Sequence, residues 1–108
     1  PDTLLLENLC AITLYKKYGS GIYYFNRNIE VDFYVPDEGL AVQASYRMSD
    51  ESTLEREIKA LVAINTLYPL KRAIIVTYED EEVMERDGLK IEIVPVWKWV
   101  LNGEKQLK

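Results

Sequence analysis

The stretch EVDFYVPDEGLAVQAS, Glu30 to Ser45, restricts the fold more than any other part of the chain. Its two halves alternate in the way half-buried strands do, and PDEG between them supplies the Pro, Asp and Gly of a tight turn. A turn centred on Asp37 and Glu38 puts Pro36 opposite Gly39. That register sets Asp32 across from Gln43 and Glu30 across from Ser45. Facing side chains in such a pair have Cβ atoms about 5 Å apart on one face of the sheet. A slip of one residue would send them to opposite faces, so the turn governs the whole arrangement.

The flanking segments supply the rest of a fold. Asp2 or Thr3 caps a first helix that runs to about Tyr18, with Lys16 and Lys17 at the end its dipole favours and Gly19 as terminator. Its expected core face is Leu5, Leu9 and Ile12. Leu4, Leu14 and Tyr15 fall on other sides, so the helix is apolar nearly all round and calls for a covering partner beyond its own sheet. IYYFNR, Ile22 to Arg27, follows the breaker cluster GSG and reads as the first strand.

After the hairpin, SDESTLEREIKALVAINTLY carries a second helix. Ser52 and Glu55 have capping-box spacing, Leu54, Ile58, Leu61, Val62 and Leu67 form its apolar stripe, and Pro69 closes it. RAIIVTYE, Arg72 to Glu79, is a continuous apolar strand of the kind buried on both faces. The acidic EDEEVMERDG is expected to be a solvated loop or short helical turn. LKIEIVPVWKWVL, Leu89 to Leu101, starts as an alternating strand and passes after Pro95 into an aromatic segment, where Trp97 and Trp99 read as core or interface anchors. The tail NGEKQLK is expected to fray, after at most one more helical turn. A helix between the third and fourth strands permits a parallel crossover, so the order predicts an α/β sandwich around a mixed central sheet.

Composition narrows the chemistry. At 108 residues the chain forms one domain able to bury a core without disulfides. No apolar run approaches the roughly 20 residues of a membrane span, and no signal peptide is visible. The single Cys10 cannot form an internal disulfide and reads as a small hydrophobe, which fits a cytoplasmic protein. With no histidine, Ser-His-Asp, Cys-His and zinc-hydrolase sites are excluded within the chain. A net charge of -5 argues against nonspecific nucleic-acid binding, although a local basic patch can coexist with it.

Taken together, helix, three-strand meander, helix and strand resemble the αβββαβ core of the PD-(D/E)XK, restriction-endonuclease-like, nuclease superfamily. Glu7 in LLENL, Asp32 in EVDF and Gln43 in VQAS match its acidic helix residue, its strand Asp and its Glu/Gln. More narrowly, LLENLCAITLYKK, IYYFNRNIEVDFYV, LAVQASYRMSDESTLEREIKAL and IEIVPVWKWVL look like the domain of unknown function at the C-terminus of predicted bacterial and archaeal AAA-type ATPases. That resemblance implies a parent chain with an ATPase domain before Pro1, which matches the missing initiator Met. ATP would belong to that domain, because no GxxxxGK[ST] loop is present here.

The resemblance implies Glu7, Asp32 and Gln43 as candidate ligands of Mg²⁺ or Mn²⁺. Ser45 falls where the motif has its catalytic lysine, and a hydroxyl cannot replace an ammonium in stabilising a transition state. Lys59 is the candidate for a lysine moved to the following helix, with Arg56 a second cation there. Without a ligand, Asp32 and Gln43 would be hydrogen-bonded hairpin residues, and Glu55 with Lys59 a surface i,i+4 pair worth about 0.3 kcal/mol. Three readings stand open: a catalytically degenerate module that recognises a partner or nucleic acid, an active Mg²⁺-dependent DNA nuclease, and an oligomerisation or regulatory wing of the ATPase.

Overall fold

The computed structural model describes residues 2–106. Pro1 and the last two residues of the NGEKQLK tail lie outside the described residues. In chain order the elements are α1 (Asp2–Tyr18), β1 (Tyr23–Asn26), β2 (Glu30–Val35), β3 (Leu40–Ala44), α2 (Glu51–Leu67), β4 (Arg72–Thr77), β5 (Glu82–Arg86), β6 (Leu89–Pro95) and α3 (Val96–Gln106). The six strands form one mixed sheet in the order β1-β2-β3-β4-β6-β5. β3, β4 and β6 run parallel, and β2 and β5 lie antiparallel to their neighbours. This is the mixed α/β architecture expected, with the αβββαβ order intact and a β5–β6 hairpin and a third helix added.

Helices cover both faces. On one, α2 seals a cluster of Ile58, Leu61 and Ile64 against Ala41, Ala73, Ile75, Ile91 and Ile93. On the other, α1 packs Leu6, Cys10 and Leu14 against Val35, Leu40, Val42, Ala44, Ile74 and Val76, with Trp99 of α3 at its margin. Alternate residues of β4 therefore enter opposite cores, which is why RAIIVT can be apolar throughout.

The hairpin keeps its expected register at the turn, where Val35 pairs with Leu40, Tyr34 with Ala41 and Phe33 with Val42. The turn itself is a 3-10 helix, Pro36–Glu38, closed by Gly39 in the left-handed region at φ 57°. A side chain at Gly39 would also crowd the backbone nitrogen of Lys71 at 3.1 Å. Glu30 and Ser45 do not pair, however. Glu30 turns to Asn26 of β1, and the Ser45 amide bonds to the Val76 carbonyl of β4.

Several other expectations need correction. The core face of α1 is Leu6, Cys10 and Leu14, while Leu5, Leu9 and Ile12 point outward at 65%, 44% and 53% exposure. Two apolar stripes run along this helix, and periodicity alone does not choose between them. The cap of α2 is Asp50, whose carboxylate accepts from the Thr53 amide at 3.3 Å, in place of a Ser52–Glu55 box. Glu55 instead holds Arg86 through two bonds of 2.8 and 3.1 Å. Leu67 is exposed, and Ile64 takes its place in the core.

The middle of the acidic EDEEVMERDG segment, Glu82–Arg86, is neither loop nor helical turn but edge strand β5, while the residues on either side of it are loop and turn. Its charged residues suit a sheet edge that must not pair further. After Pro95 the chain winds into α3 as far as Gln106, so the expected fraying does not begin at Asn102. Trp99 joins a core and Trp97 stays exposed. Among the described residues no helix is long and apolar enough to cross a membrane.

Candidate functional site

β2 and β3 part company beyond Phe33 and Val42. On the β1 side, Tyr23 pairs with Tyr34 and Phe25 with Val31, so Tyr24 alone opposes both Phe33 and Asp32. That extra residue is a bulge, a device that re-aims side chains and interrupts pairing. On the β3 side the register still carries Asp32 toward Gln43, but side chains take over from the backbone ladder. The Asp32 amide donates to Gln43 Oε1 at 2.8 Å, and Asp32 Oδ2 accepts from the Ala44 amide at 2.8 Å.

Gln43 is 1% exposed and fully engaged. Besides receiving the Asp32 amide, its Nε2 donates to the Glu30 carbonyl at 3.0 Å and to the Glu57 carbonyl at 3.4 Å. One amide thus ties the start of β2 to the first turns of α2. The mouth this leaves is an open cleft of about 1510 Å³ between α1, the parted strands and α2. Glu7, Asp32, Gln43, Ser45, Arg56 and Lys59, the candidates read from the sequence, all line it.

The cleft also contains a residue the sequence reading missed. Glu57 stands on its α2 wall, one position before the core residue Ile58. Its place in the Leu54–Ile58–Leu61 stripe was the available signal, because an acid at the margin of an apolar stripe is either paired or functional. Glu57 Oε2 and Ser45 Oγ are both buried without a hydrogen-bond partner. The hydroxyl stands near enough to Glu57 to favour its ionised form, but not in good bonding geometry.

Electrostatics single out the same group. Burial pushes the Glu57 carboxyl up to about 8, and the negative charges of Asp32 and Glu7 add to the shift against the pull of Ser45 and Arg56. Asp32 is raised to about 6, chiefly by burial, with the Ala44 amide opposing and Glu7 and Glu30 adding. Cys10, in the core under α1, feels the same charges. Burial and then the charges of Asp32 and Glu7 push its thiol up to about 12, so it stays a neutral apolar group as expected.

Above the acidic floor stands a basic rim. Arg27, Arg47, Arg56 and Lys59 line the cleft, and none forms a salt bridge among the described residues. Arg47 lies over the Tyr46 ring, which stacks on Tyr78 at a centroid distance of 5.4 Å. Lys59 is exposed and lies within electrostatic reach of Glu55. Among the described residues, no three His, Cys, Asp or Glu side chains stand close enough together to hold a metal ion. The ligand set Glu7, Asp32 and Gln43 does not form a ready cage, because the Gln43 amide is committed to backbone groups.

The chain is similar to the uncharacterized protein MJ1544 of Methanocaldococcus jannaschii, with 38% identity over 113 residues. The match takes in 91% of this chain and 24% of the archaeal protein, so the chain spans about a quarter of that relative's length. No family model matches the chain, and no solved structure matches it significantly.

Proposed function

We propose that this chain is a nuclease-like accessory domain of a cytoplasmic AAA-type ATPase, one that engages the phosphate backbone of a nucleic acid in its cleft without cutting it. The rim carries this reading. Four cations that form no salt bridge among the described residues, Arg27, Arg47, Arg56 and Lys59, line a polar cleft in a chain whose net charge is -5. Phosphate affinity comes from such clustering and not from net charge. Ser45 on the floor offers no positive charge to a developing transition state, so recognition can persist where hydrolysis does not. ATP would be bound by the parent's ATPase domain.

Fluorescence anisotropy of labelled DNA against the chain at rising salt tests this. Binding should weaken with salt, and the slope should fall by about one for each phosphate contact removed in an Arg27→Ala, Arg56→Ala double variant. Absence of binding at low salt would overturn the reading. So would metal-dependent strand cleavage abolished by Asp32→Ala.

The position of Lys59 on the same cleft favours a second reading, an active Mg²⁺-dependent DNA nuclease with a migrated lysine. It requires cleavage that Lys59→Ala removes. The exposed Leu5, Leu9 and Ile12 of α1 favour a third, an oligomerisation or regulatory wing of the ATPase. It requires self-association, measured by sedimentation, that Leu5→Ser with Leu9→Ser abolishes.

A further inference from the structure

α1 has one covered side and one open side. Leu6, Cys10 and Leu14 are buried against the sheet, and Thr13 and Lys17 line a small cavity of about 40 Å³ with Trp99 and Asn102, so α3 lies along that flank. Leu5, Leu9 and Ile12 stay exposed on the outer side.

The outer residues are regularly spaced. Asp2, Leu5, Leu9, Ile12 and Lys16 follow one another at intervals of three and four, the a and d positions of a heptad, and so form one seam along the helix. All five are exposed. Three apolar residues occupy the middle of the seam and a charge stands at each end, Asp2 in the first turn and Lys16 in the last. Neither charge forms a salt bridge among the described residues.

This pattern is complementary to itself. Leu9 lies seven residues, two helical turns, from both Asp2 and Lys16. Two copies of α1 laid antiparallel about a two-fold axis near Leu9 bring Asp2 of each against Lys16 of the other, cover Leu5 and Ile12, and oppose the two helix dipoles. A parallel pair would set Asp2 against Asp2 and Lys16 against Lys16, and those like charges disfavour it.

We propose that the exposed seam of α1 docks antiparallel on the same seam of a second copy of this chain, forming a two-fold dimer. The proposal names the occupant that the third reading above leaves open, and it rests on that reading and not on phosphate binding in the cleft. A seam of three apolar residues is short, so the dimer belongs to the weak class of interfaces, and its end charges set orientation more than strength.

Sedimentation equilibrium of the chain over a range of concentrations, without nucleic acid, tests this. A monomer–dimer equilibrium is expected, and Leu9→Asp should abolish it. Asp2→Lys and Lys16→Asp should each weaken the dimer more than about fivefold, because each sets two like-charged pairs across the seam, and the two changes together should restore it to within about twofold. The altered positions are exposed, so the circular dichroism of every variant should match the wild type. A chain that stays monomeric leaves the seam to another protein or segment and overturns the proposal together with the third reading. A dimer indifferent to Leu9→Asp or to either charge change, or one that the paired change does not restore, overturns the proposal and leaves that reading standing.

Discussion

The two ends of the β2–β3 hairpin obey different rules. At the turn, three successive residue pairs keep the antiparallel ladder and Gly39 closes the bend in the one conformation that lets the chain reverse there. At the open end a bulge displaces Asp32, and the side chains of Asp32 and Gln43 bond to backbone groups in place of a ladder. The turn end is stabilised by backbone geometry, which tolerates many side chains. The open end is stabilised by two particular side chains, and it is there that the cleft lies.

The contrast is most exposed to failure at Gln43. Gln43→Leu should leave the Asp32 amide and the Glu30 carbonyl without their partner, together with the longer contact to Glu57. Urea unfolding should show a loss of about 3–5 kcal/mol. A loss below about 1 kcal/mol would mean that the amide braces nothing.

Next in size is a pH effect confined to the open end. Glu57 rises from 4.5 to about 8 and Asp32 from 3.8 to about 6 on folding, so the folded state binds their protons more tightly than the unfolded one. Their contribution is fully present below about pH 4 and is lost as the pH rises through 6 and then 8. Glu57→Gln removes the larger share. The variant should match the wild type near pH 4 and exceed it by about 2 kcal/mol at pH 9, below the roughly 5 kcal/mol that the full shift would allow. Equal urea midpoints at both pH values would show that Glu57 is not strained by its surroundings.

The turn end sharpens the comparison with smaller effects. Gly39→Ala meets a left-handed backbone and the crowded Lys71 amide, and should lower stability by about 1–2 kcal/mol. Glu38→Ala, on the exposed face of the same turn, should change it by less than about 0.5 kcal/mol. Thermal unfolding of the pair would reveal whether the turn depends on its backbone alone.

Much of the fold was legible because its signals are local. The period of two on either side of PDEG gave the hairpin and the approach of Asp32 to Gln43, and the unbroken apolar run at Arg72 gave the central strand. The same local reading could not choose between the two apolar stripes of α1, since either can satisfy a helix. Nor could it see that EVMER would be drawn into a sheet by the edge of β6, where pairing overrides a charged composition.

The site divides in the same way. Sequence alone determined which residue types were available: carboxylates, amides and hydroxyls, with no histidine and no lysine at Ser45. It also brought Asp32 to Gln43, because register in a short hairpin follows from the turn. Only the tertiary structure made Gln43 a brace, placed Glu57 on the opposite wall and gathered four distant cations into one rim. Those relations join α2 to strands that precede it in the chain, and contacts across such separations depend on how whole elements pack, which no local pattern records.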